Sequence, residues 1–208
     1  MKSTRMFLAG LFSALLSVTV VHADRTLRES SELLMAANED TYVIHEHRVQ
    51  FDASEEAMAK NTVVANIKSA LRIFNKHDGK ETFKKFVMPL TALVNIDGGE
   101  YFAGLSDLKT LSDQYNFILF TQDGRFVVKA LITPTSDHCR AEAHSVTNTI
   151  RWFDKESPKV RLEFDNGRPV RAIVENPYDV LPDGEIGECI IQIKSDMTGT
   201  WPSPEGPA

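Results

Sequence analysis

The stretch from His138 to Phe153, HCRAEAHSVTNTIRWF, constrains this chain most, because it holds no Gly or Pro to interrupt a strand. It exceeds the about five or six residues of a common strand. Successive strand side chains point to opposite faces, so Cys139, Ala141, Ala143, Ser145, Thr147, Thr149 and Arg151 would share one side. The other side would carry a polar group, His138, Arg140, Glu142 and His144, followed by Val146, Asn148, Ile150 and Trp152. The pattern predicts the central, strongly bent strand of a curved sheet.

The chain opens with Lys2 and Arg5, an apolar run from Met6 to Val21, and small residues at Val21 and Ala23 around His22. That is the three-part layout of a secretory signal peptide, residues 1–23. The run is short of the ~20 residues that span a bilayer, so an exported product is expected, with no membrane association after cleavage. Removing Lys2 and Arg5 leaves a chain more acidic than its formal −6, which argues against nucleic acid as a partner. Both cysteines, Cys139 and Cys189, lie beyond the leader. An oxidising compartment permits one disulfide between them, and two buried free thiols are the alternative; the bridge is the expectation. No Asn-x-Ser/Thr acceptor occurs.

Residues 24–51 read as a lead-in: a mobile or weakly helical start to about Asn38, then a strand from Tyr42 to Phe51. His45 and His47 fall two apart on that strand, as a metal pair would, but no third ligand stands at a recognisable spacing. They are expected to face solvent. Asp52 and Glu55 make a capping box, and Val63, Ile67, Ala70, Leu71 and Phe74 follow at helical spacing, which predicts a helix over 54–77 stopped by Asp78-Gly79. A second helix is expected from Glu81 to Met88 and a third from Gly104 to Gln114. Turn chemistry marks three hairpins, at Asp97-Gly98-Gly99, at Gln122-Asp123-Gly124-Arg125 and at Asp165-Asn166-Gly167. A last alternation, Cys189, Ile191 and Ile193, predicts an edge strand within a 181–208 extension that ends in a proline-rich, disordered tail.

Helices first, then Tyr101-Phe102-Ala103-Gly104-Leu105, then long antiparallel strands closing with Thr149–Asp154 and Lys159–Asp165: this order resembles the NTF2-like superfamily, in its SnoaL-like branch. The resemblance implies an α+β fold over 52–180, a cone in which N-terminal helices pack on a curved antiparallel sheet. It further implies a pocket for a small apolar molecule and a possible homodimer through the outer sheet face. Fold alone does not choose between enzyme and binding module. Any enzyme of this type would be a cofactor-free isomerase, dehydratase or cyclase. Separately, Arg25-Thr26-Leu27-Arg28 resembles the host-targeting motif of oomycete effectors, which would make a host protein the partner.

For proton transfer the candidates are His138, Glu142 and His144, with Tyr101 and Arg140 as ligand contacts. The competing reading makes the same charges cross-strand pairs on a wet surface. Which applies turns on whether the small-residue face of the strand packs inward. No phosphate loop, no Gly-x-Ser-x-Gly elbow and no Cys-x-x-Cys occurs, and neither metal nor cofactor is expected.

Overall fold

The computed structural model describes residues 29–51, 64–108, 115–144 and 149–194. Those residues form thirteen strands: β1 (Glu29–Ala37), β2 (Thr41–Phe51), β3 (Val64–Asn75), β4 (Glu81–Lys85), β5 (Ala92–Asn95), β6 (Tyr101–Leu105), β7 (Phe117–Thr121), β8 (Phe126–Ala130), β9 (Glu142–His144), β10 (Thr149–Arg151), β11 (Val160–Asp165), β12 (Arg168–Val180) and β13 (Ile186–Gln192). No helix occurs among them. The expected α+β cone is therefore wrong, and the described chain is all-β.

Four antiparallel sheets carry the strands: β1-β2-β3-β4, β5-β6-β7-β8, the small pair β9-β10, and β11-β12-β13. The second is the middle layer. In β7, FILFT, every residue is buried. Phe117 and Leu119 join one apolar cluster with Ala103, Leu105, Ile150, Trp152, Ala172 and Cys189. Ile118 and Phe120 join the other, with Phe102, Val43, Val49, Leu71, Ile73 and Leu90. The β1–β4 sheet thus covers one face of the middle layer, and the β9–β10 pair with the β11–β13 sheet covers the other.

Over 64–77 the predicted helix fails for a geometric reason, while its expected start, 54–63, lies outside the described residues. Residues four apart share a helix face, but four is also even, so they share a strand face. Ile67 and Leu71 satisfy both periods, as do Ala70 and Phe74, yet on β3 the two pairs point to opposite sides. Leu71 and Ile73 are buried, while Lys68 is exposed. Gly79 does take the left-handed conformation expected of it (φ 69°), but it turns β3 into β4, its N–H donating to the Asn75 carbonyl at 3.0 Å. The second helix is replaced by β4, with Phe83 paired to Ile73. Of the third, Gly104 and Leu105 end β6 and Leu108 makes an isolated bridge to Thr149; 109–114 lie outside the described residues. The lead-in is not helical where it is described, because Glu29–Ala37 is paired to β2 throughout.

The long strand is also corrected. Its two described parts are separate short strands, β9 and β10, which pair antiparallel with Glu142 opposite Arg151; residues 145–148 lie outside the described residues. The three hairpins stand where turn residues placed them. Asp97 and Gly98 both have positive φ (53° and 68°), as do Asn166 and Gly167 (49° and 75°), the signature of a type I′ turn. Cys139 and Cys189 form a disulfide that ties the segment before β9 to β13, with Cα atoms 4.3 Å apart.

Gly104 measures how tightly the middle layer is covered. A Cβ there would stand 2.5 Å from Leu90 Cδ1 and 2.9 Å from Ile118 Cγ1. Gly104→Ala is expected to cost about 1–3 kcal/mol through overpacking. Gly99→Ala, which meets only the Ile96 carbonyl at 3.4 Å, should stay within about 0.5 kcal/mol. Urea denaturation of both variants checks this; equal losses would mean the interface beside Gly104 is loose.

Candidate functional site

β2 lies between β1 and β3, and its side chains alternate strictly. Val43, His45, His47 and Val49 are buried, whereas Tyr42, Glu46, Arg48 and Gln50 are exposed. His45 and His47 were expected in solvent; they point instead between the β1–β4 sheet and the middle layer, at 0% and 4% exposure. Shared parity with Val43 and Val49 is the sequence signal that places them inside.

The two rings stand 5.4 Å apart, tilted by 46°. His45 Nε2 is 3.0 Å from Ser69 Oγ on β3, and His45 Nδ1 has no hydrogen-bond partner. His47 faces Glu32 across β1 and Ser69 across β3, and it is hydrogen-bonded to the Leu90 backbone. Lys155, from the loop after β10, pairs with Glu32 Oε1. Burial, and then the neighbouring His47, lowers His45 from 6.5 to about 3. Burial, and then Lys155, lowers His47 to about 4 against the opposing pull of the Leu90 hydrogen bond. Both imidazoles are neutral at physiological pH.

A serine hydroxyl against an imidazole is the geometry of a nucleophile with its base. Three features argue against that chemistry here. His45 is a weak base, no third group orients its Nδ1, and it is sealed from any substrate. No group of three His, Cys, Asp or Glu placed to hold a metal occurs among the described residues.

The residues picked from sequence are dispersed. His138 and Arg140 line a shallow, open crevice of about 620 Å³ above the disulfide, together with Asp179, Glu188 and Ile190. Arg140 Nη1 lies 3.6 Å from Asp179 Oδ1, and the Asn176 side-chain amide donates to the Arg140 carbonyl at 2.7 Å. Cys139 and Ala141 are buried and His138, Arg140 and Glu142 exposed, so over 138–142 the small residues do face inward. Glu142 is opposite Arg151, and His144 is half-buried opposite Thr149. Glu142 is thus on the surface and not enclosed in an apolar pocket. Tyr101 is elsewhere, on β6, its ring 6.0 Å from Phe164 and its hydroxyl engaged by Glu100.

The outer face of the β1–β4 sheet is different in character. Leu33 and Met35 project from β1 at 72% and 66% exposure. Cross-strand pairing sets Met35 beside Ile44 and Arg72, and Ala37 beside Tyr42 and Phe74. Arg72 stacks over Phe74 at 4.9 Å and Lys76 over Tyr42 at 4.6 Å. The result is an apolar strip held flat by cations.

In an NMR titration of the imidazole protons, the His45 and His47 signals of the closed, stacked form are expected to remain those of neutral rings at pH 5, because in that form their titration is displaced towards 3 and 4. A midpoint above pH 6 for either would mean that water reaches it.

No family model, no curated protein and no solved structure matches this chain.

Proposed function

We propose that this chain is an exported interaction protein, a disulfide-tied β-sandwich that works through a displayed sheet face rather than through chemistry in a pocket. The observation that carries the reading is the strip on the β1–β4 sheet, where Leu33, Met35 and Tyr42 stand exposed together. Contiguous exposed apolar surface with a charged rim is the composition of a protein-binding patch. Lys68 and Lys84 supply basic charge on the same outer face.

Two further points support it. The imidazoles that resemble catalytic groups are sealed, and the apolar-ligand reading depended on a cone that the described residues do not form. A disulfide and the absence, among the described residues, of a helix long and apolar enough to cross a membrane are compatible with an extracellular location. Export itself rests on the leader pattern of residues 1–23, and a host-directed role on Arg25-Thr26-Leu27-Arg28; both lie outside the described residues.

The test is the double substitution Leu33→Glu with Met35→Glu in the leaderless, oxidised protein. Both side chains are in water, so stability should change by no more than about 0.5 kcal/mol per site. Binding should be lost, read as disappearance of the protein that wild type crosslinks in a host extract, or of a concentration-dependent dimer in sedimentation. The second outcome would make the partner another copy. If the variant keeps every wild-type crosslink and its sedimentation is unchanged, the outer face is not the working surface.

A further inference from the structure

We infer that His45 and His47 form an acid-operated latch: mild acid releases the β1–β4 sheet from the middle layer while the disulfide-tied half stays folded. The inference is independent of the partner-binding reading above.

The geometry supports release rather than accommodation. A proton arriving at either ring meets a second imidazole 5.4 Å away. From β1 the facing groups are Glu32 across from His47 and Leu34 across from His45. From β3 they are Ser69, bound to His45 Nε2, and Leu71. The segment before β5 contributes the Leu90 backbone, and the loop after β10 contributes the Lys155 cation. Glu32 is the facing carboxylate, and Lys155 already holds one of its oxygens while the other is buried without a partner. Asp107, whose N–H is bound by Thr91 beside Leu90, also has one buried oxygen without a partner. The new charge therefore enters a site sealed from water, beside a second imidazole and the Lys155 cation, and the facing carboxylate, Glu32, is already paired with Lys155.

Location makes the response local. The pair sits between Val43 and Val49, inside the cluster that joins the β1–β4 sheet to Phe102, Ile118 and Phe120. The other cluster, around Trp152, carries the Cys139–Cys189 bridge and no buried histidine. Elsewhere among the described residues His77 and His138 are exposed and His144 is half-buried.

The sign follows from proton linkage. An opened histidine titrates near 6.5, and the closed ones near 3 and 4, so the opened form binds more protons below pH 6.5. Full closure is present above pH 6.5 and is lost progressively as pH falls towards 4 and 3. Between pH 7.5 and pH 5, each histidine should favour opening by about thirty-fold, and the pair by about a thousand-fold.

Amide hydrogen exchange on the leaderless, oxidised protein tests this, with intrinsic rates corrected for pH. Amides of β2 and β3 should lose protection by up to about a thousand-fold from pH 7.5 to 5, while β12 and β13 keep theirs. His47→Gln, whose side-chain amide can still donate to the Leu90 carbonyl, should reduce that pH dependence by about thirty-fold. If His47→Gln does not fold, the wild-type pattern decides alone. Equal loss of protection in both halves, unchanged protection at pH 5, or an unaltered pH dependence in His47→Gln would each overturn the latch.

Discussion

Phe117, Ile118, Leu119 and Phe120 give their strand no polar side, and the architecture is built around that fact. An antiparallel sheet usually keeps one face wet, but β7 requires apolar cover on both. Burying side chains of this size stabilises by about 1.5–3 kcal/mol each, so these four together are worth roughly as much as the whole net stability of an ordinary domain. The chain meets the requirement from its two ends. β1–β4 supply Val43, Val49, Leu71 and Ile73 on one side, and residues 139–191 supply Ile150, Trp152, Ala172 and Cys189 on the other. Gly104 shows how close the approach is, since Leu90 and Ile118 fill the space a methyl group would need.

Local rules were legible wherever the backbone itself demanded a residue type. Asn166-Gly167 and Asp97-Gly98 marked their hairpins because few other residues tolerate positive φ at both central positions. Periodicity misled where two periods coincide, and β3 is the instance: Ile67 and Leu71 fit a helix and a strand equally. Only the pairing of His45 with Leu71, fixed by tertiary contact, decides between them. The 138–153 segment shows the same limit. Alternation grouped Cys139 with Ala141, both of which are buried, but Ala143 of the same set is exposed, and no residue in the segment announced that Thr149 would pair with His144.

The buried imidazoles were half legible. Their parity with Val43 and Val49 was in the sequence, but the expectation that they face solvent rested on the lack of a third metal ligand, which says nothing about burial. What no local rule contains is the company they keep. Lys155 reaches Glu32 across 123 positions, and Ser69 reaches His45 across 24. Polar groups so distant become one cluster only after the sheets have stacked.

That cluster gives the sandwich two unequal halves. Around Trp152 the interior is apolar, the indole N–H is satisfied by the Ser106 carbonyl at 2.9 Å, and a disulfide closes a long loop. A bridge of this kind stabilises by about 2–4 kcal/mol. On the opposite side, His45 Nδ1 and Glu32 Oε2 are buried without partners. Each such atom costs about 1–3 kcal/mol relative to a satisfied group. The apolar contacts of Val43, Leu71 and Phe120 must offset that loss before they hold the layer at all. The β1–β4 sheet is consequently the weaker cover, and the one that carries the exposed strip of Leu33 and Met35 on its other side. The exposed strip and the unpartnered buried atoms fall on the same four strands, so anything that loosens the histidine pair also alters the exposed face.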